Sequence, residues 1–156
     1  VNAKTSSASI DNMAYAIPTN VAVAVAQNII DNCDKEDAVS KKPSKAVMGV
    51  QLGINSSRAV YDGNTMTTRI VEDIVINSVE EGYPAEGKLQ EKDIVKSITV
   101  GGKTKEVTRS FHVIDALLNA RDGDTVTLTV VRVVDEEVKQ IQVEITLTAE
   151  SFSPIN

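Results

Sequence analysis

Apolar and polar positions follow two different rhythms along this chain, and the change falls near Val47. Before it, Val21, Val25 and Ile29 recur every four residues, with Ala22, Ala26 and Ile30 beside them. That spacing predicts a helix over about 20–32 with one apolar stripe. Pro18-Thr19-Asn20 supplies the start signal, with Thr19 as the expected cap. Further upstream, residues 1–4 and 13–17 read as two short strands around a polar loop. Residues 34–45 are charged and polar and contain Pro43, the composition of a linker.

After Val47 the apolar residues come in short runs and alternations separated by turn signals. Thr125-Val126-Thr127-Leu128-Thr129-Val130 alternates with period two, and Gln140-Ile141-Gln142-Val143-Glu144-Ile145-Thr146-Leu147 does the same. Joined through Asp135-Glu136-Glu137, they predict a hairpin. Earlier strands are expected over 48–54, 69–79 and 93–100, with Gly101-Gly102 as a turn. Between the two groups, Phe111, Ile114, Leu117 and Leu118 have helical spacing and predict a helix over 110–121. Thr108 or Ser110 is its expected cap, and Gly123 its left-handed exit. A short helical turn is expected at 84–87. Asp62-Gly63-Asn64 predicts a turn that folds residues 56–68 into a hairpin, expected to overhang any groove beside the strand before it and to bias access there. No regular exchange of strand and long helix occurs, so a doubly wound parallel sheet is excluded. The pattern predicts a mainly β (α+β) fold, a small antiparallel barrel or sandwich capped by two helices.

Composition narrows the function. Apolar residues are 42% of 156, but aromatics only 3%, with no Trp. The core is therefore built from Val, Ile, Leu and Ala, which suits a pleated surface. Sixteen basic against 22 acidic residues give a net charge of −6, with no basic stripe longer than Lys41, Lys42 and Lys45. Nucleic acid is not an expected partner. The single cysteine, Cys33, excludes an internal disulfide framework and a cysteine zinc site. No phosphate loop, dinucleotide fingerprint or metal spacing is present, and no cofactor is expected. Asn55-Ser56-Ser57 matches a glycosylation sequon by pattern alone.

The run Gly82-Tyr83-Pro84-Ala85-Glu86-Gly87-Lys88-Leu89-Gln90-Glu91-Lys92-Asp93-Ile94-Val95 resembles the signature of PDZ domains attached to proteases. Gly101-Gly102, the helix at 110–118 and Gly123-Asp124-Thr125-Val126 follow in that family's order. Lys92 departs from it, standing where the family has Gly. A second resemblance lies upstream. Asn12-Met13-Ala14-Tyr15-Ala16-Ile17-Pro18-Thr19-Asn20, then a helix, is similar to the end of the protease domain in HtrA/DegP-type serine proteases, with Ala14 in place of Gly. The resemblances imply a protease-domain remnant at 1–33, a linker at 34–46, a PDZ domain at 47–150 and a tail at 151–156.

A PDZ domain adds an extended peptide to a sheet edge and holds its terminal carboxylate on converging N–H groups. Two segments could form that loop: Val47-Met48-Gly49-Val50, which follows the linker directly and is preferred, and Gln51-Leu52-Gly53-Ile54. The expected peptide-binding residues are Val47, Met48, Gly49, Val50, Gln51, Leu52, Ile54, Ser110, Ile114 and Leu118. Leu117 is a further candidate for the helix wall of the groove, with core packing its favoured role. The implied ligands are hydrophobic C-terminal peptides or unfolded segments. A structural module whose groove is filled by its own or a neighbouring chain is the alternative.

No catalytic role is expected for the chain. His112 is its only histidine, and the family's Gly-Asn-Ser-Gly-Gly nucleophile stretch is absent. The chain starts at Val1 without Met and reads as a piece of a longer protein. The parent implied by the resemblance is a trypsin-like endopeptidase outside the cytoplasm, of a family often tethered to the membrane. The PDZ unit would recruit substrate to its protease domain or regulate it. The 20–32 helix is expected to pack on the PDZ surface or to self-associate through Val21, Val25 and Ile29.

Overall fold

The computed structural model describes residues 17–33 and 44–154. The strands expected at 1–4 and 13–17 and most of the linker lie outside them. Contacts divide the chain into two units, Val1–Pro43 and Ser44–Asn156.

In the first unit α1 spans Thr19–Cys33. It starts on Thr19, the residue expected as its cap, and so one residue earlier than its sequence suggests. The carbonyl of Pro18 accepts the N–H groups of Val21 and Ala22 at 3.0 and 3.1 Å, so Thr19 is already helical. The buried line is Ala24 and Asn28, spaced one turn apart, with Val21 and Val25 half-buried. Ile29, expected on the packed stripe, is exposed, as are Val23 and Ile30. None of the described helices is long and apolar enough to cross a membrane.

The second unit carries β1 (Ser44–Ala46), β2 (Val50–Asp62), β3 (Thr67–Val79), β4 (Ile94–Val100), β5 (Lys103–Glu106), α2 (Phe111–Leu117), β6 (Thr125–Val134), β7 (Glu137–Thr146) and β8 (Phe152–Pro154). The main sheet is antiparallel, in order β2-β3-β4-β6-β7, with β5 on β4. It is mainly β with two helices, as expected, but it does not close into a barrel. Strands β2 and β7 remain edges. A second small sheet pairs β1 with β8, Ser44 opposite Pro154 and Ala46 opposite Phe152. The compact unit therefore reaches beyond 47–150 at both ends, taking residues composition assigned to linker and tail.

The period-two strands bury one face. Val126, Leu128 and Val130 of β6 and Ile145 of β7 meet Val95 and Ile98 of β4 and Ile74 and Ile76 of β3. Val113 from α2 and Leu89 from the turn after Pro84 close this core. Helix α2 is shorter than the expected 110–121. Its end tightens, the Asn119 and Ala120 N–H groups donating to the Ala116 and Leu117 carbonyls at 3.1 Å each; Asn119 Nδ2 also donates to Asp115 O at 3.0 Å, and beyond the helix Arg121 Nη1 donates to Leu118 O and Ala120 O at 3.2 and 3.0 Å. Its start has no side-chain cap at Ser110. Gly123 does take a left-handed conformation, with φ +86°.

The turn after Pro84 is tied down by a buried ion pair. Asp93, 1% exposed, accepts Arg132 Nε at 2.7 Å and Arg132 Nη2 at 2.6 Å in a bidentate fork. Asp93 Oδ2 also accepts the Gln90 N–H at 2.9 Å, and Arg132 Nη2 reaches the Lys88 carbonyl at 3.0 Å. This arrangement satisfies both charges while holding residues 88–93 against β6. Lys92, the departure from the family pattern, sits in that turn with φ +71°. A side chain there is strained by about 1–2 kcal/mol, partly offset by the unfolded-state entropy a glycine adds. Lys92→Gly is expected to raise the unfolding midpoint by a few degrees in a thermal melt; an unchanged or lower midpoint would show that the strain is relieved elsewhere.

Candidate functional site

A cleft of about 500 Å³ lies between the start of β2 and α2. Residues 45–52 form one wall, and Ser110, Val113, Ile114, Leu117 and Leu118 the other. It is built from two consequences of the fold. Strand β2 pairs on one side only, with β3, so its other edge offers unpaired backbone groups. Helix α2 presents Ile114, 56% exposed, beside the buried Val113.

One end of the cleft is a loop that cannot move far. Val47 N–H donates to Ser151 O at 2.7 Å, Met48 O accepts the Ala85 N–H at 3.1 Å, and Gly49 O accepts the Glu80 N–H at 2.7 Å. Three successive residues are thus anchored to the body of the domain. No described group accepts the backbone N–H of Met48 or Gly49. Gly49 has φ +75°, and a Cβ there would collide with Cβ and Cγ of Tyr83. Both facts require glycine. Two adjacent unpaired donors in a left-handed turn form a concavity suited to an anion. Lys45, which also lines the cleft, adds positive charge to it.

Of the two glycine-containing segments, only the first is a loop. Gly53 lies inside β2, opposite Val75. A Cβ there would come within 2.5–2.9 Å of the Asn77 side-chain amide, which would have to swing aside. Every expected site residue except Ile54 lines the cleft: Val47, Met48, Gly49, Val50, Gln51, Leu52, Ser110, Ile114 and Leu118. Ile54 is exposed on β2 beyond it. Sequence reasoning missed Lys45, Ala46 and Val113. Leu117 packs on the core as expected, yet its other flank reaches the cleft. The spacing 110, 113, 114, 117, 118 was the signal that could have found Val113. Residues 56–68 do not overhang the cleft; they continue β2 and β3 into a long ribbon that contributes none of its lining.

The site has the chemistry of a binding surface. His112 Nδ1 lies 3.3 Å from the Thr108 N–H and 3.2 Å from the Glu106 carbonyl, both backbone groups. Burial, with Lys105 nearby, holds its imidazole below the ordinary histidine range, so it is neutral at pH 7. Asp115, three residues on, pairs with Lys105 at 3.4 Å rather than orienting the ring. Among the described residues no cluster has the composition of a metal site.

A family model for the PDZ domain matches residues 46–145. A similar solved structure is the crystal structure of the PDZ domain of the carboxy-terminal protease from Vibrio cholerae in complex with peptide, at 20% identity over 72% of this chain and 98% of that one, with a TM-score of 0.47. No curated protein matches the chain.

Proposed function

The chain belongs to the PDZ domain family, and from that premise we propose that its cleft captures the C-terminal end of an extended peptide. The peptide backbone adds to the free edge of β2 as an antiparallel strand. Its carboxylate accepts from Met48 and Gly49, and its last side chain, apolar, lies against Ile114, Leu117 and Leu118. The observation that carries this reading is the pair of unpaired N–H groups at the end of an apolar cleft beside an open strand edge. Hydrophobic C-termini and unfolded segments are the ligand class that such a cleft selects.

The finer reading is that this domain serves a protease. The likeness of residues 12–20 to the end of an HtrA/DegP-type barrel supports a trypsin-like parent acting outside the cytoplasm. There the domain delivers substrate to the protease domain or alters its activity.

The test is a two-dimensional NMR titration of the chain with a pool of free-acid peptides ending in apolar residues. Saturable shifts confined to residues 45–52 and 110–118 are expected, with at least a tenfold loss of affinity in Ile114→Asp, an exposed position whose change leaves the fold intact. Absence of saturable shifts, or unaltered affinity in Ile114→Asp, would sink this reading.

A further inference from the structure

The edge strand that lines the cleft does not stop where the cleft does. Strand β2 continues from Leu52 to Asp62 and pairs with β3 throughout, Ala59 opposite Ile70 and Tyr61 opposite Thr68. At about 3.3 Å per residue, Tyr61 lies ~30 Å along the strand from Leu52. Strand β4 covers β3 only at Ile74 and Val75, so the outer ribbon has nothing from the sheet beside it. Its base is fixed. Asp73 accepts Ser56 Oγ at 2.7 Å, Lys96 Nζ at 3.0 Å and Arg58 Nη1 at 3.2 Å. The Ser56 hydrogen bond, then Lys96, holds its carboxyl at about 2.

One face of this ribbon continues the face that bounds the cleft. Leu52 and Ile54 lie two residues apart on β2, opposite Ile76 and Ile74. Stepping by two from Ile74 along β3 reaches Glu72 and then Ile70, with Ala59 across from it. Tyr61 follows two residues after Ala59. The start of α2 abuts the same face. Arg109 Nε lies 3.2 Å from Glu72 Oε1, Thr108 O accepts the Glu72 N–H at 2.8 Å, and the Arg109 guanidinium stacks over Phe111 at 5.4 Å. The result is a shelf leading away from the cleft, with Ile54 at its near end, the Ser57–Glu72 pair next, and Ala59, Ile70 and Tyr61 beyond. Ile54, Tyr61, Ile70 and Phe111 are 55, 63, 44 and 46% exposed. Single exposed apolar residues are ordinary, but four gathered along one path out of a binding cleft, broken only by Ser57 and the Glu72–Arg109 pair, are not.

We propose that this shelf receives the upstream part of the same ligand, so that the domain recognises an extended apolar tail of about ten residues rather than a short C-terminal tetrapeptide. This rests on the C-terminal capture proposed above. The bulge between Ile54 and Ser56 ends regular strand addition and turns the ribbon. Beyond it the ligand is held by side-chain contact with Tyr61, Ile70 and Phe111. The ligand class that results is an unfolded or long disordered C-terminus. A tail projecting only a few residues from a folded domain does not reach the shelf.

The experiment uses the full chain and two free-acid peptides that share their last five residues. One is a five-residue peptide, the other a twelve-residue peptide with Val, Ile or Phe at alternate upstream positions. Calorimetry is expected to give at least tenfold tighter binding of the longer peptide. Tyr61→Ser/Ile70→Ser, both exposed, is expected to remove that advantage while leaving the five-residue affinity and the melting midpoint unchanged. Equal affinity of the two peptides overturns the proposal. So does a concentration-dependent dimer abolished by the double substitution with no length advantage, which would assign the shelf to a second copy. If neither peptide binds, the C-terminal capture itself fails, and the shelf proposal falls with it.

Discussion

Asp93→Ala is expected to lower the unfolding free energy by about 3–5 kcal/mol, because it strands the largely buried Arg132 guanidinium without its partner. For a domain of this size that is a fall of on the order of 15–25 °C in the melting midpoint. The pair itself contributes little net stability. Removing both charges with Asp93→Leu/Arg132→Met should recover most of the loss, since desolvation of the two ions offsets much of their attraction. The site should suffer as well. Arg132 holds the Lys88 carbonyl, the same turn supplies the Ala85 N–H, and that N–H fixes the Met48 carbonyl at 3.1 Å. A thermal melt of the single and double variants is the check. A single-variant loss below about 1 kcal/mol, the size of an exposed pair, would contradict this account.

The second large effect is at Gly49. Gly49→Ala meets two penalties at once. A non-glycine residue at φ +75° loses about 1–2 kcal/mol. Its Cβ also strikes Tyr83 at Cβ and Cγ, close to the backbone, where no flexible end can swing away. Overpacking of that kind costs about 1–3 kcal/mol. Urea unfolding is expected to show a loss of about 2–4 kcal/mol, and peptide affinity in the fraction still folded should drop at least tenfold. Gly63→Ala is the comparison. A Cβ there meets nothing within 4 Å and lies at the ribbon tip, so both quantities should hardly change. If Gly49→Ala behaves like Gly63→Ala, the loop is not the rigid anion cradle described.

What could be read in the sequence was what local physics fixes. The alternation of Thr125–Val130 and 140–147 gave β6, β7 and their register-setting apolar face. The Pro84–Val95 run placed the turn, and Gly49 marked a backbone conformation that only glycine holds comfortably. Other features depend on partners distant in sequence. Ser44-Lys45-Ala46 is polar and three residues long, and it becomes a strand only because Phe152–Pro154 lies beside it. That pairing brings Lys45 and Ala46 to the cleft, and composition alone sent both to the linker. The Asp62-Gly63-Asn64 turn marked the hairpin at 56–68, but not that it extends β2 and β3 instead of overhanging the groove; Asn55-Ser56-Ser57-Arg58 has no apolar rhythm, and β3 and the Asp73 network hold it extended. Helix α2 ended early because its last turn tightens, with the Asn119 N–H on the Ala116 carbonyl and the Ala120 N–H on the Leu117 carbonyl, an outcome that side-chain spacing does not encode. In α1 the four-residue stripe was real, but the buried line runs through Ala24 and Asn28, so hydrophobicity alone misplaced it by part of a turn.

The central claim is that Met48 and Gly49 hold a terminal carboxylate. The most direct measurement compares one apolar-ended peptide as free acid and as C-terminal amide, titrated into the chain by calorimetry at fixed ionic strength. Hydrogen bonds to a charged acceptor are worth about 1.5–3 kcal/mol in all, so the amide should bind at least tenfold more weakly. Equal affinity for acid and amide would contradict the claim, and the cleft would then be a site for internal extended segments.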